Sequence, residues 1–232
     1  MRKDAASLLD AIEGGLVVSV QARNGSPLRS TPIIVAITAA VLEGRPAGLR
    51  INGPDDIRAV RTLTDLPIIG LHKIHSGRRN IITPKLSQAV GLAEAGADII
   101  AIDATHEALG DDFSYLTQVI EETGCPIMAD ISTLEEGRRA WEAGASMVST
   151  TLSGYTPESA TLAQGPDLAL VSELAGSNIR VTAEGRYRKR EDIASAFARG
   201  AFAVIVGGAI TDPASITASF VNASPRSQLF AQ

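Results

Sequence analysis

Eight short runs rich in Val, Ile, Leu and Ala recur along the sequence and constrain its fold more than any other feature. Most are continuously apolar, which is typical of strands buried on both faces. The runs span residues 15–20, 47–51, 67–71, 98–102, 126–129, 146–149, 179–183 and 202–206. Because only 4% of the residues are aromatic, aliphatic side chains must fill the core that these strands form.

The segments between the runs carry helix signals. Pro54 suits a first helical turn, and Thr133 followed by Glu136 has the pattern of a capping box. A glycine follows the last turn of several segments and leads directly into the next run, as expected after a helix C-terminus: Gly96, Gly144 and Gly200.

Eight strands, each followed by a helix, predict a single (β/α)₈ TIM barrel. An open doubly wound sheet is less favoured, because it usually has fewer strands and no G-x-G-x-x-G motif follows the first run. We expect the barrel domain to span residues 1–222, with a short helix at residues 4–13 before the first strand and a tail at 223–232.

Charge and cysteine content exclude several functions. The chain has 21 Lys and Arg against 26 Asp and Glu, a net charge of −5, so no basic excess favours binding to nucleic acid. Its apolar segments are too short for a membrane helix, and acidic residues near the N-terminus interrupt any signal peptide. One cysteine, Cys125, allows no internal disulfide and fits a reducing compartment. We therefore expect a cytoplasmic protein that binds neither nucleic acid nor membranes.

In a TIM barrel the active site lies at the carboxyl ends of the strands. Polar or glycine residues stand at these ends in every run. They are Gln21, Arg50, Lys73, Asp103, Asp130, Thr150, Thr151, Glu184, Gly207 and Gly208.

The last two strand ends indicate a phosphate site. Gly207 and Gly208 open a short segment whose bare backbone N–H groups suit an anion, and Gly185 with Arg186 follows the preceding strand. Barrels frequently bind phosphate at this corner. The pattern therefore predicts a phosphorylated small metabolite as substrate.

Lys73 and Glu184 are the candidates for proton transfer. Apolar neighbours could lower the pKa of Lys73, which could then act as a base or as a Schiff-base amine. Burial would raise the pKa of Glu184 towards neutrality. Arg50 could neutralise or orient an anionic or carbonyl group, and Asp130 and Gln21 could hydrogen-bond sugar hydroxyls or an amide.

No metal site is predicted. His72 and His75 form a two-histidine spacing, but no Cys or established carboxylate ligand accompanies them.

Five motifs extend these observations. The segments are Gly48–Ile57, Ala129–Gly137, Thr150–Thr156, Ala183–Arg186 and Val206–Thr211. Together they resemble the N-acetylmannosamine-6-phosphate 2-epimerase family, over nearly the whole chain from about Leu8 to Val221.

The resemblance implies a TIM barrel that interconverts N-acetylmannosamine 6-phosphate and N-acetylglucosamine 6-phosphate without an organic cofactor, in amino-sugar and sialic acid breakdown. It implies catalytic roles for Lys73 and Glu184. It also implies roles in binding the sugar and its phosphate for Gln21, Arg50, Asp130, Gly185, Gly207 and Gly208. A homodimer is expected from the resemblance alone.

The chain departs from the family at two places. The family usually has a basic residue that reaches the phosphate after Gly-Gly-Ala-Ile-Thr, whereas this chain has Asp212. Arg186 and the backbone amides would then have to bind the phosphate. The residues after Lys73, Ile74 to Gly77, also differ from the family pattern.

Two other functions remain open at this point. One is a lyase of the Schiff-base aldolase kind, acting on a sugar phosphate through Lys73. The other is a barrel that binds a sugar phosphate without catalysis. The sequence also leaves open whether one residue or two move protons at the two faces of the reacting carbon.

Overall fold

A computed structural model describes residues 4–77, 79–160 and 165–225. The strands are β1 (Leu16–Val20), β2 (Gly48–Asn52), β3 (Ile68–Leu71), β4 (Lys73–His75), β5 (Asn80–Ile82), β6 (Ile99–Asp103), β7 (Ile127–Asp130), β8 (Met147–Ser149), β9 (Val181–Glu184) and β10 (Ala203–Val206). The helices are α1 (Ala5–Ile12), α2 (Thr31–Glu43), α3 (Pro54–Arg61), α4 (Leu86–Glu94), α5 (His106–Leu109), α6 (Ser114–Thr123), α7 (Leu134–Glu142), α8 (Leu168–Gly176), α9 (Arg190–Ala198), α10 (Gly208–Thr211) and α11 (Pro213–Asn222).

Eight of the strands form a closed parallel barrel in the order β1-β2-β3-β6-β7-β8-β9-β10, and β10 pairs with β1. The register places polar residues side by side at the carboxyl ends: Asp130 is paired with Asp103 on β6 and with Ser149 on β8. On the other side of the barrel, Arg50 is paired with Ser19. The polar strand ends therefore form one ring.

The core has two apolar layers. Side chains that include Val17, Ile69, Met128 and Ile205 pack together inside the barrel, and a larger cluster packs between the strands and the outer helices. The predicted N-terminal helix is α1, whose fully buried Ile12 joins the inner cluster. Since Ile12 precedes β1, it closes the end of the barrel opposite to the ring of polar residues.

The helix ends follow the sequence signals. Thr133 accepts a hydrogen bond from the N–H of Glu136, and the two residues form the predicted capping box. Gly96, Gly144 and Gly200 have φ angles of 103°, 95° and 88°, a region that L side chains avoid. These glycines therefore end their helices as expected.

The sequence did not predict a hairpin. After β3 the chain forms an antiparallel hairpin of β4 and β5, in which Lys73 is paired with Ile82 and His75 with Asn80. The hairpin lies at the carboxyl end of the barrel, so Lys73 is on an ordered strand rather than on a loop.

The eight barrel strands coincide with the eight predicted runs, and the TIM barrel is confirmed. Within the described residues, no helix is both long enough and apolar enough to cross a membrane. The predicted tail begins where α11 ends, but residues 226–232 lie outside the described part of the chain.

Candidate active site

Four side chains meet at the carboxyl end of the barrel: Arg50, Asp130, Thr151 and Glu184. Arg50 is the third residue of β2, and its side chain is 1% exposed. The side chain of Asp130 on β7 is 0% exposed. Glu184 ends β9 and keeps 14% of its side chain exposed. The cluster thus has a dry centre and one edge that faces solvent.

Arg50 links the two carboxylates. Its guanidinium donates one hydrogen bond to Asp130 and one to Glu184, and forms an ion pair with each. It also lies 3.3 Å from the Thr151 hydroxyl. A guanidinium stays charged and presents a rigid fork of donors, so Arg50 fixes the positions of both acids.

The Thr151 hydroxyl joins the same two acids. Its oxygen lies 2.7 Å from Oδ1 of Asp130 and 3.0 Å from Oε2 of Glu184. Because a hydroxyl has one proton, it can donate to only one of these carboxylates at a time. Thr150, its neighbour, bonds instead to the backbone of Glu184, at 2.8 Å from the carbonyl oxygen and 3.1 Å from the N–H.

The buried charges shift one another's proton affinity. Burial raises the pKa of Asp130 to about 7; the positive charge of Arg50 opposes this rise, and the charge of Glu184 adds to it. Burial alone would lower the pKa of Arg50, but Asp130 and Glu184 outweigh it, so that pKa is raised. Arg50 therefore remains a cation, whereas Asp130 can exchange a proton near neutral pH.

Lys73 stands at the mouth of the barrel above this cluster. Its backbone N–H donates to Oδ1 of Asn52 at 2.9 Å, which ties β4 to the end of β2. Within the described chain its ammonium forms no ion pair, although the charges of Arg50, Glu184 and Asp130 all act on it. Water reaches the side chain, but the concave mouth surrounds it with protein. This desolvation, with the positive charge of Arg50, lowers the pKa of Lys73.

Arg79 holds the hairpin that carries Lys73. Its guanidinium donates to Asp103 at the end of β6, to the Thr105 hydroxyl at 2.9 Å and to Glu107 at 2.7 Å. Only 12% of the Arg79 side chain is exposed. These contacts fasten the far strand of the hairpin to the barrel rim.

Gln21 directs an unused acceptor into the protein. Its Nε2 donates to the Ser19 hydroxyl at 2.7 Å, whereas the buried Oε1 accepts no hydrogen bond from any described residue. The buried Nε of Arg50 likewise has no partner there. Buried polar atoms are normally paired, so both atoms are available to a ligand.

Glycines shape the corner between β9 and β10. Gly185 has a φ of 106°, which only glycine adopts without strain. A Cβ on Gly207 would lie 3.3 Å from Cβ of Ser19, and Gly208 begins α10. Without side chains, the backbone of these residues can approach a ligand closely.

Arg186 and Asp212 border this corner but are already engaged. Arg186 donates to the carbonyl oxygens of Gly165 and Ser153 at 2.7 and 2.6 Å, and its guanidinium lies over the Tyr155 ring. Asp212 caps α11, where it accepts hydrogen bonds from the Ser215 hydroxyl and from two backbone N–H groups. Its carboxylate is thus turned towards its own helix.

The structure brings most of the predicted site residues together at one end of the barrel. Sequence reasoning placed Thr151 among the strand ends but gave it no role. It gave no role to Asn52, which lies within the Gly48–Ile57 motif, and none to Arg79. Asn52 ends β2 one position beyond the predicted run, which is the one signal that could have identified it. No described residues form a group of three or more His, Cys, Asp or Glu that could hold a metal ion.

Comparison with known proteins identifies a family. A family model described as "Putative N-acetylmannosamine-6-phosphate epimerase" matches residues 34–226. A curated 2-epimerase of this name from Yersinia pseudotuberculosis is 44% identical over 206 residues, which are 88% of each chain. Another, from Clostridioides difficile, is 40% identical over 220 residues, 93% of this chain and 98% of that protein.

A solved structure agrees. The N-acetylmannosamine-6-phosphate 2-epimerase from Clostridium perfringens superposes with a TM-score of 0.86 and 38% identity, covering 94% of this chain and 96% of that one. On sequence and on structure alike, the chain belongs to the N-acetylmannosamine-6-phosphate epimerase family.

Proposed function

We propose that this protein interconverts N-acetylmannosamine 6-phosphate and N-acetylglucosamine 6-phosphate by removing and returning the proton at C2. Family membership supports the reaction. The observation that carries the mechanism is the Lys73 amine, which has a lowered pKa and stands over the Arg50–Asp130–Glu184 cluster.

The chemistry requires a base and a stabilised anion. In the open-chain sugar the C1 aldehyde acidifies the C2 proton, so neutral Lys73 could remove that proton as a general base. The electron pair passes to the aldehyde oxygen and forms an enolate. Return of a proton to the opposite face of C2 inverts that carbon, and no electrons are gained or lost overall.

Arg50 and Glu184 assist the reacting carbonyl in this scheme. The charged Arg50 guanidinium could polarise the aldehyde and stabilise the enolate oxygen through its unpaired Nε–H. Glu184 keeps one edge exposed and could accept or donate the proton that moves when the sugar ring opens. Both groups are held in place by Thr151 before any substrate binds, so little reorganisation is needed.

The remaining predicted residues bind the substrate. Gln21 offers its unpaired Oε1 to a hydroxyl or to the acetamido N–H, and Asp130 lies deeper beside Arg50. The backbone around Gly185, Gly207 and Gly208 takes the phosphate, with Arg186 nearby.

Isotope exchange tests the reaction most directly. In D₂O, the protein is expected to incorporate deuterium at C2 of N-acetylmannosamine 6-phosphate, detected by loss of the C2 proton resonance. Lys73→Met is expected to abolish exchange, whereas Lys85→Met, which removes an exposed lysine elsewhere, should leave it unchanged. Absence of exchange with the native protein would exclude the epimerase, and exchange that survives in Lys73→Met would exclude Lys73 as the base.

Borohydride distinguishes the reaction from an aldolase. A Schiff-base lyase would form an imine on Lys73 that borohydride reduces to a stable adduct with the added mass of the substrate carbon chain. The epimerase needs no bond between Lys73 and substrate, so intact mass should not change. A reduced adduct on Lys73 would replace the proposed mechanism with the lyase.

We also propose a homodimer in the cytoplasm. The single cysteine, Cys125, fits a reducing compartment. Phe220 and Val221 on α11 are 75% and 52% exposed, and an apolar groove of about 600 Å³ lies between α2 and α10. Such surfaces mark interaction sites. Light scattering that gives the mass of one chain, 24.2 kDa, would exclude the dimer.

A further inference from the structure

The phosphate corner needs a cation that the residues after β10 do not supply. A sugar phosphate carries about two negative charges near neutral pH, and the residue that follows α10 is the carboxylate Asp212. Arg186, which directly follows Gly185, donates from its guanidinium to the carbonyl oxygens of Gly165 and Ser153. A positive charge added to the backbone N–H groups of this corner would therefore come from another element.

Arg23 reaches this corner from the loop after β1. Its NH2 lies 3.4 Å from Oδ2 of Asp212, and 72% of its side chain is exposed. Asp212 in turn lies against Gly208, since a Cβ on that glycine would be 3.8 Å from Cβ of Asp212. The Arg23 loop and the start of α11 line a common cavity of about 350 Å³.

The Asp212 carboxylate is charged and pairs with Arg23. The hydrogen bond from the Ser215 hydroxyl, the N–H groups at the start of α11 and the charge of Arg23 lower the pKa of Asp212. The carboxylate therefore stays charged at neutral pH. One ion pair to Asp212 leaves most of the five N–H donors of a guanidinium free, and these can bind a phosphate in bidentate fashion.

We propose that Arg23, oriented by Asp212, binds the phosphate group of the substrate and sets the preference for phosphorylated over unphosphorylated sugar. This inference rests on the proposed epimerase function. Where the family pattern has a single basic residue after α10, this chain has Asp212, which positions Arg23 from the loop after β1.

Steady-state kinetics with two sugars test the assignment. Arg23→Gln is expected to raise KM for N-acetylmannosamine 6-phosphate at least about tenfold with little change in kcat, because it removes a charge-assisted bond made before and during the reaction. For unphosphorylated N-acetylmannosamine, kcat/KM should not change. Arg58→Gln serves as the matched control, since Arg58 is also an exposed arginine paired with an aspartate, Asp55, at 3.1 Å; it should leave both sugars unaffected.

Two results would overturn the assignment. A KM within about twofold of the native value in Arg23→Gln would mean that Arg23 does not bind the phosphate. An equal loss of kcat/KM on both sugars would mean that Arg23 acts on loop structure and not on the phosphate.

A relocated charge gives an independent test. In the double variant Arg23→Gln with Asp212→Arg, the cation returns to the same corner from the other side, and KM for the phosphorylated sugar should recover at least partly. A double variant as weak as Arg23→Gln, with an unchanged melting temperature, would place the phosphate elsewhere and overturn the proposal.

Binding separates failure of this inference from failure of the proposed function. If the native protein epimerises neither sugar, the function fails, but calorimetric titration with N-acetylglucosamine 6-phosphate still tests Arg23. A weaker Kd in Arg23→Gln supports the assignment in that case, and an unchanged Kd overturns it.

Discussion

Replacing Thr151 by valine removes one hydroxyl from the centre of the buried cluster and little else, because the two side chains have nearly the same shape. The hydroxyl oxygen lies 2.7 Å from Asp130 and 3.0 Å from Glu184. Its hydrogen bond also lowers the pKa of Asp130, against the larger rise caused by burial. The substitution should therefore destabilise the fold and raise that pKa further above about 7.

The size of the effect depends on pH. The pKa of Asp130 lies above its ordinary value of 3.8, so the contribution of this group to stability is greatest at acid pH and declines as the pH rises towards about 7. At pH 5 Asp130 is protonated in native and variant proteins, and the loss is that of a neutral hydrogen bond, about 1 kcal/mol. At pH 8.5 the native carboxylate is charged, and the loss should be about 2–3 kcal/mol.

The difference between the two pH values, about 1–2 kcal/mol, corresponds to a rise of about one unit in the pKa of Asp130. Urea denaturation at pH 5 and pH 8.5 measures it as the change in the free energy of unfolding. Thr150→Val is the matched control. Among the described residues, the Thr150 hydroxyl bonds only to the backbone of Glu184, so the loss of stability in Thr150→Val should be the same at both pH values. A pH-independent cost for Thr151→Val, or an equal pH dependence for Thr150→Val, would refute this account of the cluster.

Substitutions at three further residues test the contacts that hold the site in place. Asn52→Leu removes the acceptor for the Lys73 N–H and is expected to lower kcat several-fold with little change in KM, measured by steady-state kinetics; a change in KM alone would contradict a role in positioning Lys73. Arg79→Gln breaks the contacts to Asp103 and the barrel rim. It should lower kcat and increase amide hydrogen exchange in residues 73–82. Unchanged exchange would show that the hairpin does not depend on this arginine. Asp212→Ala should cost about 1 kcal/mol of stability by removing the α11 cap, measured by urea denaturation. Because the pKa of Asp212 is lowered, the difference in stability between the native protein and Asp212→Ala should shrink as the pH falls below about 4. Asp212→Asn should retain most of the cap.

The barrel could be predicted because its signal is local and repeated. Each strand is a continuous apolar run, and the intervening helices carry their own caps, as Thr133 and Glu136 illustrate. The carboxyl ends of the strands follow from the same pattern, so Arg50, Asp130 and Glu184 could be placed near one another before the structure was known.

The hairpin could not be predicted in the same way. Its strands have three residues each, which is too short for a periodic pattern to be distinguished from a loop. What orders it is the contact of Arg79 with Asp103, 24 residues further along the chain. The partners of Arg23 and Arg186 were hidden for the same reason. Arg23 pairs with Asp212 and Arg186 with the carbonyl oxygens of Gly165 and Ser153, and such tertiary contacts do not follow from the neighbours of an arginine in sequence.

The proton balance of the site connects Asp130 to the proposed base. Arg50 and Lys73 supply two positive charges, and Asp130 and Glu184 supply two negative ones. The charges of both acids raise the pKa of Lys73, whereas desolvation and Arg50 lower it. When Asp130 takes up a proton near pH 7, one of the two charges that keep Lys73 protonated disappears. A proton held by Asp130 therefore favours the neutral amine that the proposed reaction requires. The dry, fully buried position of Asp130 thus helps to keep Lys73 in its neutral form near pH 7, although the two side chains are not bonded to each other.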